Sequence, residues 1–96
     1  MSAVRIGEFV VECLWPDVRE SDLRALDERV SEHIGRLAPG LAVRYNGSML
    51  MREDEVVLCL FAGELEAIRE VAEGAEIPFE RILETARSPW NLNQTD

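Results

Sequence analysis

The chain has 96 residues and a mass of 10.9 kDa, a length that makes one domain and not two. Its apolar fraction of 47% and charged fraction of 30% are those of an ordinary globular protein with a small core. Nineteen acidic residues against ten basic ones give a net charge of −9. Nucleic-acid binding through a basic face is not expected, because counterion release needs clustered Lys and Arg. No run approaches the roughly 20 apolar residues of a membrane span, and no basic segment leads into a short apolar one. A soluble, cytoplasmic protein with no membrane partner is expected.

Val4 to Trp15 reads as a first strand, rich in β-branched and aromatic residues and ended by Pro16-Asp17. Leu23, Leu26, Val30, Ile34 and Leu37 then recur every three or four residues, the stripe of a helix buried on one side. Ser21 or Asp22 can cap its start, and Pro39-Gly40 stops it. Leu41 to Met51 is a second strand, interrupted by Asn46-Gly47-Ser48, a triplet that suits a bulge or a close approach of ligand to backbone. The charged turn Arg52-Glu53-Asp54 joins it as a hairpin to a third strand, Glu55–Ala62. A second helix follows from about Glu64 to Glu73, with Leu65, Ile68, Val71 and Ala72 on its buried side and Gly74 placed as its C-cap. Ile77-Pro78-Phe79 crosses back to a short last strand, Arg81 to Ala86. Residues 1–87 therefore form the single domain, and 88–96 are a polar tail carrying Pro89 and Trp90.

The order strand, helix, strand, strand, helix, strand is the split β-α-β arrangement of ferredoxin-like domains. It predicts an α+β fold, βαββαβ, with a four-stranded antiparallel sheet and both helices on one face, since the crossovers are right-handed. The other sheet face starts out bare. Such a face should alternate apolar and polar residues, yet the central strands are apolar on both sides. Phe9, Val11 and Cys13 point one way, and Val10 and Leu14 the other, with Glu12 between them. In the third strand Val57, Cys59 and Phe61 oppose Val56, Leu58 and Leu60. Soluble monomers avoid apolar patches of more than a few hundred Å², so a second copy is expected to cover the bare face as a sheet-to-sheet homodimer. The alternative cover is the tail or the region around Trp90. The acidic second helix and the Arg52–Glu55 turn should stay solvated.

Few residues carry chemistry. Cys13 and Cys59 are too few for a disulfide scaffold or a four-thiolate zinc site. Lying in apolar strands, they read as small buried hydrophobes, with a reactive thiol or metal ligand as the alternative. His33, the single histidine, lies on the shoulder of the helix stripe and has no readable catalytic partner. The glycines are scattered, as caps and turns require, and form no phosphate loop.

Glu12 stands out as an acid inside an apolar strand. Such a carboxylate is paired, binds a cation or ligand, or stays neutral. Arg44 is its expected ion-pair partner. A general base or hard-cation ligand between sheet and partner is the functional alternative. Tyr45, Asn46, Ser48 and Met49 are expected to line the same space.

The run Phe9-Val10-Val11-Glu12 closing with Trp15-Pro16, the run Leu58-Cys59-Leu60-Phe61-Ala62 followed by Leu65-Glu66-Ala67-Ile68-Arg69-Glu70, and Ile77-Pro78-Phe79-Glu80-Arg81-Ile82 carry a resemblance. Together they resemble the small nickel-binding ferredoxin-like proteins of actinobacteria (domain of unknown function 4242) over Phe9 to Glu84. The resemblance implies the same fold, a dimer, and a divalent metal such as nickel, for which Glu12, His33 and Cys59 are the candidates. The family's His-Ser-Tyr run falls on Gly47-Ser48-Met49 here, so its imidazole is missing, and nickel favours nitrogen and sulfur donors.

These readings give a small cytoplasmic binding protein of the dimeric α/β-barrel type, with a ligand or metal ion in the cleft between sheets. Glu12, Tyr45, Ser48, Met49 and Cys59 are its expected binding residues. One alternative is a cofactor-free isomerase, cyclase or monooxygenase of the same barrel class with Glu12 as acid–base residue, helped by Tyr45 or His33. The other is a structural or regulatory interaction protein using its acidic helix.

Overall fold

A computed structural model describes residues 5–37 and 42–86. Pro39-Gly40 and the tail with Trp90 lie outside the described residues. The order of elements is β1 (Ile6–Leu14), α1 (Glu20–Gly35), β2 (Val43–Met51), β3 (Val56–Glu64), α2 (Leu65–Gly74) and β4 (Arg81–Thr85). The four strands form one antiparallel sheet in the order β2-β3-β1-β4. This is the expected ferredoxin-like βαββαβ fold, with each helix joining two consecutive strands that are not adjacent in the sheet.

Alternation along the two central strands builds the core. Phe9, Val11 and Cys13 of β1 and Val57, Cys59 and Phe61 of β3 are buried. They pack with Leu26 and Val30 of α1 and with Ile68, Val71 and Ala72 of α2, so the period of two on the sheet meets the period of 3.6 on the helices. Ile77, at the crossing back, closes the same cluster. Among the described residues no polar or charged side chain is fully buried.

Two helix ends differ from expectation. The N-cap of α1 is Arg19, in an extended conformation, and Asp22 instead sits at the third helical position with its carboxylate accepting the Arg19 backbone N–H at 2.8 Å. The preceding turn sets this frame. The Glu55 side chain accepts the Asp17 N–H at 2.7 Å and the Glu55 carbonyl accepts the Trp15 N–H at 2.9 Å, which delivers the chain to Arg19 already extended. At the far end of α2, Gly74 is the last helical residue and Ala75 the cap. Gly74 owes its place to packing: a Cβ there would come within 2.2 Å of the His33 ring on α1.

The interruption in β2 is a bulge. Tyr45 pairs with Phe61 and Ser48 with Cys59, so Asn46 and Gly47 together oppose Leu60. Gly47 takes φ +97° there, a conformation that favours glycine. The β2–β3 hairpin turn lies where expected, with Glu55 at φ +53°.

Candidate functional site: the uncovered sheet face

The strand registers turn the helix-free face into a grid. It begins at the end of the central strands with Ile6 opposite Glu64, and its first row across β2, β3, β1 and β4 is Arg44, Ala62, Glu8 and Thr85. The second row is Asn46, Leu60, Val10 and Leu83; the third is Met49, Leu58, Glu12 and Arg81. Met51, Val56 and Leu14 make the fourth. Leu14 is 57% exposed, Met49 52%, Met51 45% and Leu83 36%, and Val10, Val56, Leu58 and Leu60 between them are only partly covered. The apolar side chains are therefore contiguous and open to solvent, as the sequence suggested.

Glu12 lies near the middle of this grid, and its partner is Arg81 rather than Arg44. The Arg81 Nε donates to Glu12 Oε1 at 2.7 Å, and this hydrogen bond and charge raise the Arg81 pKa above its ordinary value. Arg44 sits two rows away across β3, beside Ala62, out of the row that Glu12 shares. The short strand β4 has no tight turn to fix its register, so sequence periodicity alone did not bring Arg81 forward.

The sheet divides the expected binding residues. Glu12 and Met49 share the third row of the open face. Tyr45, Ser48 and Cys59 lie on the helix side, where Tyr45 Oη and Ser48 Oγ both donate to Asp27 Oδ1 of α1, at 2.5 and 2.9 Å. Within the bulge triplet, Ser48 turns to the helices and Asn46 stays with the open face. Tyr45 also leans on Phe61, with ring centroids 4.9 Å apart at 47°. Burial, and then the hydrogen bond to Asp27, push the Tyr45 phenol well above its ordinary pKa. Asp27 was the residue that sequence reasoning missed. It falls four after Leu23 and three before Val30, which places a carboxylate on the flank of an apolar stripe and is itself a signal of a buried partner.

The open face also holds a shallow cavity of about 180 Å³ at the first and second rows, lined by Glu8, Val10, Asn46, Leu60 and Thr85 and by Phe9 and Phe61. The Thr85 hydroxyl donates to the Glu8 carbonyl at 3.2 Å.

The three metal candidates do not converge. Glu12 is on the open face, Cys59 is buried against the helices, and His33 stands over Gly74 between α1 and α2. Among the described residues no three His, Cys, Asp or Glu side chains come together to hold a metal ion. The described donors of one protomer thus do not fit nickel, which prefers several nitrogen or sulfur ligands. No helix among the described residues is long and apolar enough to cross a membrane. No known protein family, no curated protein and no solved structure matches the chain.

Proposed function

We propose that the chain is a small cytoplasmic binding protein of the dimeric α/β-barrel type, in which two copies stack open face on open face and hold a small ligand in the cleft between the sheets. The observation that carries this reading is the contiguous run of exposed apolar side chains on the helix-free face. Leaving it in water forgoes the stabilisation that burial brings, about 25 cal/mol per Å² of apolar surface.

Area and charge both support a second copy as the cover. Four strands about 4.8 Å apart and rows about 6.7 Å apart give a flat footprint of roughly 500 Å² per protomer, and about 1,000 Å² for a pair, the lower limit of a specific interface. The grid carries three carboxylates, Glu8, Glu12 and Glu64, and two guanidiniums, Arg44 and Arg81. It is therefore close to balanced on a chain of net charge −9. The surplus acid lies elsewhere, on the exposed sides of the helices at Glu28, Glu32, Glu66, Glu70 and Glu73, so like faces can stack without bringing like charge together. Two free, buried thiols suit a reducing compartment.

Sedimentation of the full chain tests the reading. The expected result is a dimer at micromolar concentration. Met49→Glu, at an exposed position outside the core, should give a monomer with unchanged circular dichroism. A wild-type chain that stays monomeric at hundreds of micromolar overturns the proposal.

A further inference from the structure

We infer that the cavity at the Glu8 end of the open face is the ligand seat, and that it takes an uncharged single-ring aromatic molecule with one hydrogen-bonding substituent. This rests on the stacked-sheet reading for what closes the seat.

Size sets the class. About 180 Å³ is close to the roughly 150 Å³ cavity that admits benzene. Val10 and Leu60 form an apolar floor. Two hydrogen-bonding side chains stand around it. The β2 bulge, with Gly47 at φ +97°, sets Asn46 against Leu60, and re-aiming a side chain is what bulges do beside binding sites. The Asn46 amide both donates and accepts. The Thr85 hydroxyl spends its proton on the Glu8 carbonyl, which leaves its lone pairs to accept from a ligand N–H or O–H. The net charge of −9 disfavours an anionic ring.

Side-chain length explains why the seat is at this end. Met49, Leu58, Glu12 and Arg81 make the third row and Met51, Val56 and Leu14 the fourth, whereas Ala62 and Thr85 shorten the first row and Val10 the second. A second sheet about 10 Å away rests on the long side chains and leaves space over the short ones.

The test is a titration of the isotope-labelled full chain with benzamide, followed by amide NMR, with benzoate as the anionic control and sedimentation of the same samples. Benzamide should shift the amides of Val10, Asn46 and Leu60 saturably in the millimolar range or below, and benzoate should bind at least tenfold more weakly. Leu60→Trp, which fills the seat, should weaken benzamide binding at least tenfold. Asn46→Ala, at an exposed edge-strand position, should weaken it several-fold and serves if the Trp variant misfolds. A dimer that shows no saturable shift, or binding untouched by Asn46→Ala, overturns the seat and leaves the stacking intact. Saturable binding at these residues by a chain that sediments as a monomer keeps the seat and overturns the stacking.

Discussion

Arg81 and Glu12 face each other across β4 and β1, Nε to Oε1 at 2.7 Å, in the third row of an otherwise apolar neighbourhood of Leu58, Val10 and Leu83. In the lone protomer the Arg81 side chain is 63% exposed, so water screens the pair and it contributes little to folding. Stacking a second sheet over it changes its worth, because a carboxylate without its partner is costly once water is removed. Arg81→Met should therefore leave thermal unfolding of dilute, monomeric protein almost unchanged and weaken self-association at least about tenfold. Equal dissociation constants for wild type and Arg81→Met by sedimentation would place the pair outside any interface.

The Tyr45–Asp27–Ser48 cluster ties α1 to the bulged edge strand and makes a prediction in pH. The folded phenol is held above its ordinary value, first by burial and then by Asp27, whereas an unfolded tyrosine titrates near 10. Below about pH 10 neither state releases the proton and the cluster's contribution is fully present. Above it the unfolded chain loses a proton that the native state keeps, so stability falls as pH rises. Tyr45 is the single tyrosine, and ultraviolet titration should show it ionising only as the chain unfolds. Tyr45→Phe should cost about 1–2 kcal/mol at neutral pH through the lost hydrogen bond, and the gap to wild type should narrow in alkaline urea melts. Ionisation near pH 10 in the folded protein would contradict the cluster.

The fold was legible because its signals are periodic. Alternation separated Phe9, Val11 and Cys13 from Val10 and Leu14, and Val57, Cys59 and Phe61 from Leu58 and Leu60, but both sets are apolar, so which of them faces the helices was not legible and Cys59 was expected on the wrong side. The Asn46-Gly47 bulge was legible from glycine inside a strand pattern. What periodicity could not give was register beyond the hairpin. Without the β1–β4 alignment, Glu12 had no visible route to Arg81, and Arg44 was the nearer guess in sequence. The bulge also hid the facing of its neighbours. One extra residue flips the pleat, so Tyr45 and Ser48, three apart, both turn to the helices while Met49 turns away.

Three glycines separate backbone constraint from simple space. At Gly63, φ is +137° and a Cβ would lie 1.9 Å from the Ala42 carbonyl oxygen, whose bond to the Glu64 N–H at 2.9 Å fixes it. Gly63→Ala should cost about 3 kcal/mol or more. At Gly74 the obstacle is the His33 ring, a side chain that can swing outward, so Gly74→Ala should cost no more than about 1 kcal/mol as helix propensity offsets the displacement. Gly35 has nothing near it at the end of α1, and Gly35→Ala should stabilise by up to about 1 kcal/mol. A Gly63→Ala cost no larger than that of Gly74→Ala in chemical denaturation would mean that the β3–α2 junction is looser than its geometry.

The thiols bear on the metal reading directly. Cys13 and Cys59 are fully buried on the helix side of the sheet, and the Cys59 thiol is pushed up by the neighbouring Cys13 thiol and by burial. Both effects keep it protonated, whereas a metal ligand or nucleophile must be a thiolate. Native protein should therefore react with a disulfide reagent at mildly alkaline pH only at the rate of global opening, and both cysteines should react at once in denaturant. Raising urea below the unfolding midpoint should speed the native reaction in step with the loss of stability. Nickel should leave that rate unchanged, because a thiol exposed only on opening offers no site to the folded chain. Fast labelling of Cys59 in buffer, slowed by nickel, would show that the sheet presents this thiol to solvent and would restore it as a metal ligand.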